Sequence, residues 1–343
     1  MTTLSVPQNP TAVADADPVV EVSLVPDSPV ATLALPLLAA TTAAALACLP
    51  WVGRDQPKAA DGAAVAAMRA ALAHLPGRAT VVIGEGEKDD APMLFAGEVL
   101  GSGDGPDCEL AVDPLEGTRL CARGQEGAVS VLAAGPPGSL WATPGWYMEK
   151  LVVPAAAAGS VSIERPLDEN LAGLAAALDK PVAALLVAIQ DRPRHAELIA
   201  AVRHLGAGVV LFGDGDVMTS LRVLMPEGDL DALIGVGGAP EGVITACAAR
   251  LVGGGMQGRL APQSPEERAR LEAAGISVGE VLTLADLVAD DDCVFVATGV
   301  TGGTLLGRPQ PIGSAWRTFS LVSTAGHPRL LVESLTSSGA PGR

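Results

Sequence analysis

Apolar and polar positions alternate in short blocks through the second half of the chain. From Ala184 onward, short apolar runs are followed by longer segments with helical spacing, and turn-forming residues separate them. The pattern predicts strands at 185–189, 208–212 and 232–236, and helices at 193–205, 217–224 and 240–251. Strands that alternate with helices of this length are typical of a layered α/β fold, in which sites gather at the loops after strand ends.

The first half of the chain contains the same kinds of element at wider spacing. An Ala-rich segment at 60–73 has helical spacing, and the apolar run 79–83 predicts a strand. Residues 1–30 lack sustained periodicity and are expected to form a disordered extension, and 337–343 a flexible tail. The length of 343 residues suits two lobes, which we place at 31–155 and 156–336.

One uncharged run, from Ser28 to Gly53, is long enough to cross a bilayer. The run is rich in alanine and contains Pro36, Pro50 and the adjacent Thr41 and Thr42, and no Lys or Arg precedes Arg54. A basic segment of the kind that opens a signal or transit peptide is therefore not seen before the run. We interpret the run as a buried core helix and expect no membrane association.

Composition narrows the range of functions. Hydrophobic residues make up 49% of the chain and charged residues 18%, which excludes a disordered, solvated protein. With 39 acidic and 22 basic residues, a net charge of −17 and only 3% aromatics, the chain is a poor ligand for nucleic acid. Five widely spaced cysteines, without a C-x-x-C pair, favour a reducing cytoplasm over a disulfide framework or zinc site.

An acidic, glycine-containing loop follows the strand predicted at 79–83. Residues 84–90 read Gly-Glu-Gly-Glu-Lys-Asp-Asp, which places four carboxylates within six residues. Crowded carboxylates repel one another unless a cation neutralises them, and a hard divalent metal is the economical explanation. The alternative is a solvated surface turn.

A second acidic loop strengthens the metal interpretation. In Asp113-Pro114-Leu115-Glu116-Gly117-Thr118, a turn can bring Asp113 and Glu116 to one side, where both can hold one ion. The hydroxyl of Thr118 can then orient a water molecule for attack on phosphorus. The alternative is an ordinary turn and helix cap.

The third loop, 235–242, is glycine-rich and opens a predicted helix. Such backbone often cradles phosphate through free N–H groups, yet Glu241 would repel phosphate unless a metal lay between them. The loop is therefore either a metal-bridged phosphate site or a well-capped helix with a favourable first-turn Glu.

Positive charge is scarce, so the cluster Arg192-Pro193-Arg194-His195 is informative. Two guanidiniums at the start of a helix suit a clamp for a phosphate remote from the metals, the alternative being surface ion pairs. We expect His195 to be a hydrogen-bonding residue at the helix end rather than a catalytic base. The carboxylates of Asp214 and Asp216 can accept sugar hydroxyls, or Asp can serve as an N-cap.

Taken in order, these segments resemble class II fructose-1,6-bisphosphatases, in the lithium-sensitive, metal-dependent sugar phosphatase superfamily. The likeness covers about 41–306 and rests on a series of motifs: 60–65, 83–93, 113–118, 147–151, 192–195, 214–216, 237–242 and 297–299. The resemblance implies a layered αβαβα sugar-phosphatase fold, with a metal-binding N-terminal lobe and a substrate-binding C-terminal lobe flanking a metal-lined cleft. It also implies Mg²⁺ or Mn²⁺ as cofactor and a homo-oligomer, dimer or tetramer.

The resemblance also implies roles for individual residues. It makes Asp61, Glu85, Asp113, Glu116 and Glu241 metal ligands, Thr118 the neighbour of the attacking water, and Glu87 and Asp89 acidic groups that hold or deprotonate water. It assigns the bisphosphate to Glu116, Gly117, Thr118, Tyr147, Arg192, Pro193, Arg194, Asp214, Gly215, Asp216 and Gly238. Asp61 and Tyr147 come from the resemblance alone.

Some positions depart from the family pattern. Asp55-Gln56-Pro57-Lys58 stands where the family usually has Gly-Asp-Lys-Asn, so Pro57 replaces the usual lysine. Thr42 replaces a common acid, Pro50 interrupts the first helix, and Gly127 stands where an amide is typical. These differences bear on metal affinity or kinetics, while the ligand set is complete.

The expected reaction is hydrolysis of the 1-phosphate of fructose 1,6-bisphosphate, as the resemblance implies. Sedoheptulose 1,7-bisphosphate is a close alternative substrate, alone or beside the fructose compound, because one extra hydroxymethylene unit changes little in the recognised groups. Inositol monophosphate would leave the arginine clamp without a phosphate. The alternative from another functional class is a regulatory protein without catalytic activity. The complete set of proposed carboxylate ligands argues against it.

Overall fold

The computed structural model describes residues 4–5, 28–86, 93–142 and 145–336. Its helices are α1 Ala34–Cys48, α2 Pro57–Leu72, α3 Thr118–Arg123, α4 Leu167–Ala177, α5 Ala196–His204, α6 Asp216–Leu224, α7 Ala239–Val252, α8 Pro265–Ala273 and α9 Leu284–Leu287. Its strands are β1 Leu4–Ser5, β2 Ala79–Ile83, β3 Val99–Leu100, β4 Cys108–Glu116, β5 Val129–Gly135, β6 Tyr147–Val153, β7 Leu186–Gln190, β8 Gly208–Phe212, β9 Ala232–Gly238, β10 Gly255–Leu260, β11 Leu282–Thr283, β12 Val294–Gly299, β13 Gln310–Ile312, β14 Ala315–Thr324 and β15 Leu330–Thr336.

The chain forms two compact units, each with its own sheet. Unit 1 comprises residues 1–137 and 292–343, and unit 2 comprises 138–291. These units differ from the lobes expected at 31–155 and 156–336. The difference arises because β12 pairs with β5 of the first sheet, and β14 and β15 extend that sheet beyond β12. Local periodicity does not encode such long-range pairing.

Unit 1 contains a nine-stranded sheet in the order β1-β15-β14-β12-β5-β4-β2-β3, with β13 paired to β14. The pairing of β2 with β4 is parallel, so both strands end at the same edge. Helix α1 packs against α2 and against β12 and β5, and its buried side chains form much of the unit's apolar core. Strand β1, which pairs with β15, lies within the predicted N-terminal extension. Residues 1–3 and 6–27 of that extension fall outside the described residues, as do residues 337–343 of the predicted tail.

The segment Val30–Trp51 is the one helical stretch, among the described residues, that is long and apolar enough to cross a membrane. Most of its apolar side chains are buried inside unit 1, where Leu33, Leu37 and Ala44 are fully enclosed. A helix that is apolar all round and packs against both a helix and a sheet is typical of a protein core. The packing therefore favours the interpretation of this run as a core helix.

Unit 2 contains a six-stranded sheet in the order β11-β10-β6-β9-β7-β8. Strands β7, β8 and β9 are parallel, whereas β6 pairs antiparallel with both β9 and β10. Helices α5, α6 and α7 each follow a parallel strand, so their N-termini gather at one edge of the sheet. Two mixed sheets with helices packed on them confirm the predicted α/β class.

Candidate active site

The carboxylates predicted to bind metal in unit 1 lie on α2, after β2, and in the last residues of β4, which is the parallel neighbour of β2. Asp61 is on the first turns of α2, Glu85 follows β2, and Asp113 and Glu116 lie in the last residues of β4. Burial raises the pKa of Asp61 above its ordinary value. Of the acidic loop 84–90, Glu87 and Asp89 lie outside the described residues.

The end of β4 is irregular in a way that shapes the second loop. Asp113 pairs with Val131 and Glu116 with Val129, so the two residues between Asp113 and Glu116 oppose one residue of β5 in a bulge. Asp113 Oδ1 accepts a hydrogen bond of 3.2 Å from the Leu115 N–H. Gly117 then adopts a φ of 79°, which glycine tolerates without strain. The glycine lets the chain turn from strand to helix within one residue.

Thr118 is the first residue of α3, and its hydroxyl does not cap that helix. Thr118 Oγ1 donates to the Leu115 carbonyl oxygen at 2.9 Å. A hydroxyl whose proton is committed in this way presents its oxygen as an acceptor for a water proton. The geometry therefore suits the water-orienting role expected of Thr118 better than the helix-capping alternative.

An ion pair between Arg69 and Glu98, which the sequence does not predict, positions the backbone of Glu85 through Leu94. Glu98 is buried, and its carboxylate accepts from Arg69 Nε at 2.8 Å and from the Leu94 N–H. Leu94 has a φ of 54° and its carbonyl oxygen accepts from the Glu85 N–H at 3.0 Å. Since Arg69 is on α2, the helix of Asp61, the pair connects the elements that carry two proposed metal ligands.

In unit 2, Arg194 lies where the sequence places a phosphate clamp, at the start of the helical segment after β7. Its Nε and Nη2 donate to the Val236 carbonyl oxygen at 3.1 and 2.7 Å, and Nη2 also donates to Gln190 Oε1 at 2.9 Å. The guanidinium carbon lies 5.3 Å from the ring centre of Tyr147. Neither Arg192 nor Arg194 forms an ion pair with a carboxylate of the described residues, so the surface ion-pair alternative is not observed there.

His195 is buried and bonds to the backbone through both ring nitrogens. Nδ1 donates to the Gln190 carbonyl oxygen at 2.7 Å, and Nε2 accepts from the Val236 N–H at 2.8 Å. Burial lowers the pKa of His195, and the acceptor role of Nε2 requires the neutral ring. This confirms the prediction that His195 is a hydrogen-bonding residue, and it joins the ends of β7 and β9.

The acidic loop between β8 and α6 places its second carboxylate inside the unit. Asp214 is half-buried, Gly215 has a φ of 89°, and Asp216 begins α6 with its carboxylate paired to Lys150 Nζ. The N-cap residue of α6 is Gly215, which has no side chain. The N-cap alternative for this loop is therefore replaced by a buried ion pair.

Glu241 folds back over the first turn of α7. A Cβ on Gly238 would clash with its carboxylate, so the glycine provides the space that the carboxylate occupies. The Glu241 Oε2 atom is buried without a hydrogen-bond partner in the described part of the chain. Burial raises the pKa of Glu241, and the nearby Lys150 opposes that rise.

The sequence of the chain is similar to those of known proteins. A sequence model of the family described as bacterial fructose-1,6-bisphosphatase, glpX-encoded, matches residues 31–331. The fructose-1,6-bisphosphatase 1 class 2 of Escherichia coli strain K12 is 45% identical over 287 residues, which cover 80% of this chain and 85% of the relative. The fructose-1,6-bisphosphatase class 2 of Haemophilus influenzae is also 45% identical over 287 residues, covering 80% and 86%.

The chain belongs to the glpX-type fructose-1,6-bisphosphatase family. The resemblance stated from the motifs is thereby confirmed, and so is the assignment of the chain to the phosphatases. The family is one of metal-dependent phosphatases.

The residues present fit a divalent metal by their chemistry. All five proposed ligands are carboxylates, which hard cations prefer. The buried Oε2 of Glu241 accepts no hydrogen bond from the described residues, so a bound cation would compensate for its loss of water. Four of these residues are in unit 1 and Glu241 is in unit 2. Within the described ranges, no three His, Cys, Asp or Glu side chains are already grouped as a metal cluster.

For this family member, sequence reasoning missed Lys150 and Glu267 in unit 2. The fully buried Glu267 accepts the N–H groups of Trp146 and Tyr147 at 2.7 and 2.9 Å through Oε1, and so fixes the start of β6. Lys150 had a visible signal, because it occupies an inward-facing position of an apolar strand. Glu267 had none, since it reads as an ordinary first-turn acid of α8.

Proposed function

We propose that this protein hydrolyses the 1-phosphate of fructose 1,6-bisphosphate, yielding fructose 6-phosphate and inorganic phosphate. The observation that carries the proposal is the family match over residues 31–331, together with relatives at 45% identity that are named fructose-1,6-bisphosphatase. The presence of both acidic loops and both arginines supports the same reaction.

Unit 2 binds the part of the substrate that does not react. Arg192 and Arg194 carry guanidiniums without carboxylate partners in the described chain, which suits an anchor for the distal 6-phosphate. Asp214 and Asp216 accept sugar hydroxyls. The resemblance also assigns to the substrate Gly215, which lies between them, and Gly238, at the end of β9. Pro193 fixes the approach to the arginines, and Tyr147 supports the Arg194 guanidinium from one side. Binding at this end selects bisphosphates over monophosphates.

Unit 1 supplies the groups that act at the reacting phosphate. Thr118 donates its proton to the Leu115 carbonyl, so its oxygen accepts a proton from the attacking water and aligns that water with phosphorus. Glu116 and Gly117, beside Thr118, contact the reacting phosphate. Glu87 and Asp89 hold or deprotonate water.

Mg²⁺ or Mn²⁺ is the proposed cofactor. Asp61, Glu85, Asp113, Glu116 and Glu241 would hold it through carboxylate oxygens. When bound, a divalent ion balances the charge of the phosphoryl oxygens and acidifies water.

A phosphate-release panel tests the proposed function. The purified chain is assayed with fructose 1,6-bisphosphate, sedoheptulose 1,7-bisphosphate, fructose 6-phosphate and inositol 1-phosphate, each with Mg²⁺ and with Mn²⁺. We expect release from the fructose bisphosphate and little from either monophosphate. A higher kcat/KM for the sedoheptulose compound would reassign the substrate, and no release from any compound would support a silent regulator.

We also propose a homo-oligomer, dimer or tetramer, located in the cytoplasm. All five cysteines are buried free thiols, as expected in a reducing compartment. Sedimentation of the full chain, without detergent, measures the oligomer and tests whether the apolar segment Val30–Trp51 causes membrane association.

A further inference from the structure

Lys150 is a buried cation in unit 2 to which the proposed reaction assigns no role. It lies on β6 with 1% of its surface exposed, among the largest fully buried side chains in the described chain. Its Nζ pairs with the Asp216 carboxylate and donates to the Gly238 carbonyl oxygen at 2.9 Å. A lysine so deeply buried is stable in its charged form only when such partners compensate for the loss of water.

The two partners of Lys150 belong to different loops at one edge of the sheet. Asp216 begins α6, directly after β8, and Gly238 ends β9, directly before α7. The ammonium therefore joins the loop that carries Asp214 and Asp216 to the loop that carries Gly238 and Glu241. Both loops contain residues proposed to contact substrate or metal.

The surrounding glycines leave room for this ion pair. A Cβ on Gly237 would clash with Asp216 Oδ2 and would lie 3.0 Å from Lys150 Nζ. A Cβ on Gly242 would lie 3.5 Å from Lys150 Cδ and 2.8 Å from Met148 Sδ. A side chain at Gly237 would thus displace the Asp216 carboxylate from the Lys150 ammonium. The ion pair can therefore be disrupted by substituting either Lys150 or Gly237.

We propose that Lys150 is a positioning residue for sugar recognition, which holds the Asp216 carboxylate in the orientation that accepts a substrate hydroxyl. This inference rests on the proposed function. A single ammonium orients the Asp216 carboxylate and the Gly238 carbonyl together, so it sets the spacing of the two loops before substrate arrives. Preorganisation of this kind lowers the ordering cost of binding, and its loss raises KM more than it lowers kcat.

The test compares Lys150→Met with Lys180→Met. Lys180 also forms an ion pair in unit 2, with Asp231 Oδ1 at 2.5 Å, but Asp231 accepts the Leu186 N–H and is not among the site residues. We expect Lys150→Met to raise KM for fructose 1,6-bisphosphate about 10- to 100-fold, with kcat within about threefold of wild type. The dissociation constant of fructose 6-phosphate, measured by calorimetry, should rise similarly, and Lys180→Met should leave both constants unchanged.

Two further variants keep the inference falsifiable if Lys150→Met does not fold. Gly237→Ala has an ordinary backbone conformation and should raise KM about tenfold by displacing the Asp216 carboxylate. In an Asp216→Asn background, Lys150→Met removes the second member of the ion pair, so the double variant has no unpaired buried charge. There, Lys150→Met should change KM less than threefold further. An unchanged KM in Gly237→Ala, or a full additional loss in the double variant, would overturn the inference.

Failure of this inference is distinguishable from failure of the proposed function. If wild-type protein releases no phosphate from any sugar bisphosphate, the function is wrong whatever the variants do. If wild type is active and Lys150→Met changes only the melting temperature, as Lys180→Met would, then Lys150 is structural and the function stands.

Discussion

Two side-chain groups near strand ends have central roles in the proposed reaction. The Thr118 hydroxyl and the Arg194 guanidinium are both placed by hydrogen bonds to backbone carbonyls, of Leu115 and Val236 respectively. Such bonds hold a side chain in one orientation and spare the entropy of ordering it when substrate binds. Substitutions at these two positions therefore separate chemistry from folding.

Thr118→Val should abolish turnover while leaving substrate binding nearly intact. Val keeps the branched shape of Thr but removes the oxygen proposed to align the attacking water. Loss of positioning and proton transfer predicts a fall in kcat of about 10² to 10⁴, with KM little changed. Thr118→Ser retains the hydroxyl and serves as the control. Near-normal kcat with a melting temperature lowered by a few degrees would instead show that Thr118 acts only on stability.

Arg194→Ala should weaken binding of fructose 1,6-bisphosphate much more than binding of a monophosphate analogue. Only the bisphosphate reaches the clamp, and loss of a charge-assisted contact predicts a KM about 10- to 100-fold higher. Arg203→Ala removes an exposed arginine of α5 and provides the matched control. Equal losses on both ligands would place Arg194 away from the distal phosphate.

At the scale of elements, side chains join the ends of parallel strands in unit 2. His195 bonds the Gln190 carbonyl at the end of β7 and the Val236 N–H in β9, while Arg194 bonds the Val236 carbonyl. Gly235, with φ of 140°, would bring a Cβ within 3.0 Å of His195 Nε2, so the ring packs directly on the backbone. The loop that carries both arginines is thereby held to the strand that leads into α7.

His195 should make the stability of the protein depend on pH. Burial lowers its pKa, so below about pH 6.5, the ordinary value for histidine, the unfolded chain binds a proton that the folded chain does not. The free energy of unfolding therefore falls as pH drops from 6.5 towards the lower pKa of the folded state. Melting temperatures from pH 7.5 to 5.0 should fall less steeply for His195→Gln than for wild type. The same slope in wild type and His195→Gln would contradict the prediction, and exposed His204→Gln is the control.

At the scale of the whole molecule, the proposed function makes phosphate release depend on a divalent metal. Chelation should abolish phosphate release, and excess Mg²⁺ or Mn²⁺ should restore it, because without a cation the carboxylates would repel the substrate phosphate. Re-addition of Ca²⁺ tests whether ion size matters. Full activity in excess chelator would remove the metal from the mechanism.

Local sequence patterns predicted individual elements closely. The strands at 79–83 and 208–212 have the predicted bounds, and the helix predicted at 60–73 is α2 at Pro57–Leu72. The segment predicted as one helix from 193 begins with a 3-10 turn, Pro193–His195, before α5. Periodicity succeeds here because burial of one face acts over a few residues. It did not predict that β12 pairs with β5, because pairing partners far apart in sequence leave no mark on either strand.

By itself, the sequence determined the α/β class, the family and the short segments near strand ends that contain most of the proposed site residues. These properties follow from hydrophobic period, turn residues and clustered charge, all of which are local. Only the tertiary structure decided that Asp216 pairs with Lys150, that Glu98 and Arg69 brace the Leu94 loop, and that residues after 292 return to the first sheet. Those outcomes depend on which distant side chains meet in an interior that excludes water. A buried charge without a partner costs roughly several kcal/mol there, so the fold must bring each charged group to a compensating partner.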